Sequence, residues 1–126
     1  MGRHPIDSPA PVDYLSILDA DGNLDAELEP AIDQALHLKM FRAMLLGRRF
    51  DEKMLDLQRQ GRIGTFPPIK GQEAAQIGSV ALLRDSDWLV PSFRETAAEI
   101  MRGRSMASVL LYYNGFNEGV IIPEAN

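Results

Sequence analysis

Asp87-Trp88-Leu89-Val90-Pro91-Ser92-Phe93-Arg94-Glu95 joins a short apolar run to what reads as the start of a helix. Trp88, Leu89 and Val90 have the composition of a short buried strand. Ser92 and Glu95 stand in the S-x-x-E spacing of a capping box, which predicts a helix from Phe93 to Arg102 with Gly103 as its stop. Arg94 then falls in the first turn, where unpaired amides and the positive end of the peptide dipoles favour an anion. A guanidinium placed there presents paired donors that match phosphate oxygens. The same residues also suit an ordinary cap beside a solvated arginine, and this stretch alone does not separate the two.

Upstream, Ile32, Leu36, Met40, Ala43, Gly47, Phe50, Met54 and Leu57 recur every three to four residues. That period predicts one long helix from about Pro30 to Gln60, its apolar stripe packed in a core and Gly61 just beyond its end. Residues 61–71 carry three glycines and two adjacent prolines and read as a loop. A second helix is expected from about Gln72 to Leu83. Its Ala74, Ala75, Gly78, Ser79 and Ala81 are small enough for tight packing against another backbone or for the wall of a binding site. Ser105 caps a further helix over Met106 to Tyr113, ending at Asn114-Gly115.

Residues 1 to about 30 read as a poorly structured arm, because Pro5, Pro9 and Pro11 interrupt regular hydrogen bonding and apolar residues are sparse. Asp19 to Asp25 superficially suggests a calcium loop. The glycine position of such a loop holds Leu24 and its bidentate glutamate position holds Pro30, so an Asp-Gly-Asn turn is the better reading. The expected fold as it stands is therefore mostly α: about four helices with little strand, in a helical part over residues 31–126. The apolar Val120-Ile121-Ile122-Pro123 reads as a chain entering a structure, and Asn126 as a cut point.

Composition narrows the function. A chain of 126 residues allows one domain at most, and a net charge of −5 argues against a nucleic-acid partner. There is no cysteine, hence no disulfide, thiol nucleophile or thiolate metal site. No apolar run approaches the roughly 18 residues that span a bilayer, and the N-terminus lacks a signal-peptide core, so a soluble cytoplasmic protein with no membrane partner is expected. His4 and His37 lie in the arm and on the first helix, with no nucleophile pattern, phosphate loop or ligand cluster around them. No catalytic residue and no metal ligand is assigned.

Four segments occur in a telling order: Arg48-Arg49-Phe50-Asp51-Glu52, Gln60-Gly61-Arg62-Ile63-Gly64, Lys70-Gly71-Gln72-Glu73-Ala74-Ala75 and Asp87 to Glu95. Over residues 14–126 the chain resembles the alpha chains of thiamine-diphosphate-dependent 2-oxo acid dehydrogenases, most of all the first component of the bacterial pyruvate dehydrogenase complex. The resemblance implies the N-terminal part of a doubly wound α/β thiamine-diphosphate-binding fold. It implies oxidative decarboxylation of pyruvate with acyl transfer to a lipoyl carrier, and as partners a beta subunit, a second alpha subunit and the lipoyl acyltransferase component. A branched-chain or other 2-oxo acid is the alternative substrate, and a non-catalytic helical module that docks on partner subunits is the rival class. By the same resemblance Arg94 and Phe93 bind the cofactor diphosphate, with Phe93 standing where the family has a tyrosine. Phe66 and Pro67 line the substrate pocket, with proline where animal enzymes place a histidine. The magnesium ligands of the family belong to a Gly-Asp-Gly motif that this sequence lacks.

Overall fold

The computed structural model describes residues 14–120, which divide into two compact units between Ile32 and Asp33. The proline-bearing residues 1–13 and the apolar end at 121–126, on which two sequence expectations fall, lie outside the described residues. In the first unit the Asp19 carboxylate accepts from the amides of Asp21 (2.9 Å) and Asn23 (2.8 Å) and from the Asn23 side chain (2.9 Å). These bonds hold its charged form and keep the Asp19 carboxyl below its ordinary pKa, the Asn23 side chain contributing most. Gly22, at φ 85, supplies the left-handed residue of the turn, and Leu18 bridges Leu24 across it.

The second unit contains α1 (Gln34–Arg59), α2 (Glu73–Val80), α3 (Thr96–Met101), α4 (Met106–Tyr113) and a 3-10 turn at Asn117–Gly119. The first helix begins four residues later than the sequence suggested. Asp33, in extended backbone, accepts the Leu36 amide at 2.7 Å, and that cap, more than Pro30, sets the start. The middle of the expected stripe faces the core. Gly47, Phe50 and Met54 are buried, and Met40 and Ala43 pack half-buried against it, while Leu36 and Leu57 are half-buried toward the helix ends. Phe50 and Met54 pack with Phe66 and Val109, while Ile69, Ile77 and Ala97 form a second cluster. Gly47 is needed for the approach of α3: a Cβ there would lie 3.0 Å from Ala97 Cβ. A second apolar set on α1, Leu38, Phe41 and Leu45, is exposed.

Polar ties fix the 61–71 loop and α2 against α1. The Arg48 guanidinium forks onto Glu73, with Nη2 to Oε2 at 2.9 Å and Nε to Oε1 shorter. Glu73 also accepts the Gly71 amide at 3.0 Å, and buried Asp51 accepts the Ile69 amide at 2.8 Å. Fork-shaped charged bonds of this kind are the directional ones, so they set the register of the loop on the helix.

Three expectations fail. Among the described residues Trp88 to Val90 form no strand, and Trp88 (91% exposed) and Val90 (86%) face outward. A strand needs a neighbour for its amides, and none of the described residues of this unit supplies one. The second helix stops at Val80, and its small residues Ala74, Ala75, Gly78 and Ser79 are exposed; an added Cβ at Gly78 would meet nothing within 4 Å. The face that packs is the one with Gln76, Ile77 and Val80. Finally, α3 begins at Thr96 rather than Phe93. Only half of the capping box forms: the Glu95 carboxylate accepts from the amides of Ser92 (2.8 Å) and Arg94 (3.1 Å), and the Ser92 hydroxyl makes no return bond among the described residues. Residues 92–95 stay irregular, and the Gln76 side chain takes over the capping by accepting the Ala97 amide at 3.0 Å.

The fourth helix follows expectation, with the Ser105 hydroxyl accepting the Ser108 amide at 3.1 Å. Its partner is the 3-10 turn, whose Gly119 carbonyl accepts from Arg104 (3.2 Å) and Ser108 (3.3 Å). Gly119 sits so close that a Cβ would stand 2.0 Å from the Tyr112 nitrogen.

Candidate functional site

Phe66, Pro67 and Phe93, placed on separate segments by sequence, meet around one cavity of about 360 Å³. Phe66 is held because it is part of the core: it is 5% exposed and meets Tyr113 edge to face, 5.9 Å between centroids. Glu95, Glu99, Arg104, Tyr112 and Tyr113 also line the space. Glu99 is neutralised by Arg104, whose Nη1 lies 2.8 and 2.9 Å from its two oxygens, and that guanidinium stands over the Tyr112 ring at 5.6 Å. Burial, the largest cause, pushes the Tyr113 hydroxyl above its ordinary pKa, so it stays protonated and able to donate. The Arg104 Nε is buried without a hydrogen-bond partner among the described residues.

Arg94 does not line this cavity. Its guanidinium donates to the Pro68 carbonyl at 2.8 Å and lies 5.3 Å from the centroid of the Phe93 ring. The anion corner read from the sequence at the first turn of this helix is therefore not built. The helix starts two residues after Arg94, and the amides of Ser92, Arg94 and Ala97 already have acceptors in Glu95 and Gln76. Gln76 completes the arrangement by donating to the Arg94 carbonyl at 2.8 Å, so one buried side chain holds residues 94 and 97 together. Among the described residues Arg94 has no carboxylate partner. It remains a cation with unused donors, but one turned toward the 61–71 loop.

Against a diphosphate with its metal, the residues present fit at that single point. The amides that would cradle the anion are taken, two carboxylates line the neighbouring cavity, and no group of three or more His, Asp or Glu among the described residues is placed to hold a metal. They do not by themselves form such a site. A smaller cavity beside Lys39, Asp85 and Arg102 lies where α2 and α3 end. Arg102 there donates to the Asp85 and Asp87 carbonyls at 3.4 and 3.0 Å, which ties the 84–87 turn to the end of α3.

Sequence reasoning missed Glu95 as a cavity carboxylate, and missed Glu99, Arg104, Tyr112 and Tyr113 altogether. Glu95 and Glu99 are four residues apart, a legible spacing for one helix face. Nothing in the sequence tied that face to Phe66 or to the end of α4.

Comparisons with known proteins fall on the same segment. The family model described as "Dehydrogenase E1 component" matches residues 41–120. A pyruvate dehydrogenase E1 component subunit alpha from Acholeplasma laidlawii is 42% identical over 101 residues, covering 80% of this chain and 29% of that protein. One of the same description from Staphylococcus epidermidis is 31% identical over 113 residues, 89% of this chain and 30% of the relative. A 3-methyl-2-oxobutanoate dehydrogenase subunit alpha from Mycobacterium tuberculosis is 42% identical over 64 residues, 51% of this chain and 17% of the relative. The chain thus spans less than a third of the length of these relatives.

Proposed function

This chain belongs to the dehydrogenase E1 component family, and on that premise we propose that it is the N-terminal part of the alpha subunit of a pyruvate dehydrogenase. The helical part from residue 31 is then the entry to the larger doubly wound domain, and residues 1–30 an arm. The intact protein decarboxylates pyruvate on thiamine diphosphate, held with magnesium, and passes the acyl group to a lipoyl carrier; the cofactor supplies the carbanion chemistry. Its partners are a beta subunit, a second alpha subunit and the lipoyl acyltransferase component, in the cytoplasm. The observation that carries the proposal is the agreement of family model and relatives over the stretch that contains Arg48 to Glu52, Lys70 to Ala75 and Asp87 to Glu95.

In this reading Arg94 contributes one guanidinium toward the diphosphate, and Phe93 packs beside it. Phe66 and Pro67 give the pocket an apolar wall that neither donates nor accepts a proton. The lack of a phenolic donor at Phe93 weakens the grip by about 1.5–3 kcal/mol at most, the worth of one hydrogen bond to a charged group. A 3-methyl-2-oxobutanoate substrate is the second reading, favoured by the 42% identity over 64 residues with the Mycobacterium tuberculosis subunit.

Two measurements test this. The pure chain with thiamine diphosphate, magnesium and pyruvate is expected to release carbon dioxide only at background; turnover above background refutes the view that these residues hold only part of the site. Parentage is tested on the DNA that follows the codon for Asn126. A Gly-Asp-Gly motif in frame or one frame-shift away supports it, and unrelated sequence in every frame counts against it.

A further inference from the structure

Asn114-Gly115 is the only Asn-Gly pair in the chain; Asn23 and Asn117 precede Leu24 and Glu118. An asparagine carboxamide is open to attack by the backbone nitrogen of the next residue. A side chain on that residue obstructs the approach, and glycine has none. The pair stands at the end of α4 in a complete helix stop. Gly115, at φ 83, is the left-handed residue after the Asn114 cap. Its amide donates to the Tyr112 carbonyl at 3.0 Å, and the Phe116 amide donates to the Leu111 carbonyl at 2.9 Å. Both members of the pair are exposed, so water reaches them. Two features of the stop oppose the reaction. The Asn114 ψ of 0 sets the Gly115 nitrogen beside the Asn114 nitrogen rather than beside Cβ, and a five-membered ring closes only in the second arrangement. The Gly115 amide that must act as nucleophile is also committed to Tyr112. Unwinding of the last turn of α4 removes both restraints at once.

We propose that Asn114 is a site of spontaneous deamidation, gated by the opening of this helix stop. In the open state the Gly115 nitrogen, giving up its proton, bonds to Asn114 Cγ. The Cγ–Nδ2 bond breaks, and the nitrogen leaves as ammonia with that proton. Water then opens the cyclic imide. Addition at the side-chain carbonyl gives aspartate; addition at the backbone carbonyl gives isoaspartate, whose main chain is one methylene longer. Either product places a carboxylate at the negative end of α4, which the peptide dipoles disfavour. Isoaspartate does more, because with an added backbone atom the bonds to Tyr112 and Leu111 cannot both re-form. The turn that follows depends on that register, since Gly119 is buried against Tyr112 and its carbonyl accepts from Arg104 and Ser108. The reaction converts a transient opening of this end of the molecule into a permanent one. It depends on the geometry of α4 and is independent of the family reading.

The test uses the full 126-residue chain, aged at mildly alkaline pH in native buffer and in urea. Each asparagine is followed by proteolysis and mass spectrometry, with isoaspartate identified by its fragment ions. Hydrogen exchange of the Gly115 amide, read by NMR in the native buffer, supplies the opening equilibrium, because the nitrogen that exchanges is the one that attacks. Asn114 is expected to convert before Asn23 and Asn117 in both solvents, and at least about tenfold more slowly in native buffer than in urea. That slowing is expected to match the Gly115 protection factor to within about tenfold. The Gly119 amide donates to the Phe116 carbonyl at 3.1 Å and reports on the turn. In the isoaspartate form, separated by ion exchange, it is expected to exchange at least about tenfold faster than in Asn114→Asp, which has the charge without the longer backbone. Conversion at Asn23 or Asn117 ahead of Asn114, or equal rates in the two solvents, would overturn the inference. So would a slowing that departs from the Gly115 protection by more than that margin, or equal Gly119 exchange in the two acidic forms.

Discussion

Replacing Glu73 by glutamine should remove a pH-dependent part of this protein's stability, and the size of that part follows from the geometry. The Arg48 guanidinium, bonded to both Glu73 oxygens, is the main cause that lowers the Glu73 carboxyl from its ordinary 4.5 to about 2; burial opposes it. At about 1.4 kcal/mol per pH unit this difference sets a ceiling of about 3 kcal/mol. Glu73 is shielded, but the Arg48 side chain is 38% exposed, so water screens the pair. A working figure is about 1–2 kcal/mol. The sign is that of a depressed acid: the contribution is complete above pH 4.5, falls as pH drops, and is gone below about 2. Urea unfolding of wild type and Glu73→Gln should therefore be compared at pH 7, 5, 4, 3 and 2. The stability gap between them is expected to hold from pH 7 to 5 and then close steadily toward pH 2. A gap of constant size across the series, or one that widens in acid, refutes the reasoning, because a neutral glutamine has no charged bond to lose.

Further expectations are open to simple measurement. Gly119→Ala should collapse the packing of the 3-10 turn on α4, since its Cβ would stand 2.0 Å from the Tyr112 nitrogen; a loss of more than about 3 kcal/mol in urea titration is expected, large enough to mark a named steric mechanism. Gln76→Ala strands the Arg94 carbonyl and the Ala97 amide together and should cost about 2 kcal/mol, with faster amide exchange at Ala97 as the local sign. Met54→Ala empties a site that is 1% exposed and should cost about 2–5 kcal/mol in the same titration. Trp88, the sole tryptophan, is 91% exposed. Its native fluorescence should be red-shifted and freely quenched by acrylamide, and protection from acrylamide would contradict its placement.

The long helix was legible because its apolar residues keep one period over seven turns, and the α4 start was legible because Ser105 has a side chain made for that position. Both are local properties of the chain. The Trp88 to Val90 strand was not realised, since composition states a preference whereas a strand exists only with a neighbour to receive its amides. Similarly, S-x-x-E named the right carboxylate at Ser92 and Glu95 but not the right helix start, because Gln76, distant in sequence, competes for the Ala97 amide.

What the sequence by itself determined is the order of the helices and the family. Only the tertiary structure decided where the charges near the start of α3 face. It turned Arg94 to the Pro68 carbonyl, paired Glu99 with Arg104, and left Glu95 open to an aromatic cavity. The physical reason is that a helix start or an apolar stripe depends on neighbours a few residues away. The direction of a charged side chain is set by whichever distant partner satisfies it, and that partner is known only once the chain has folded.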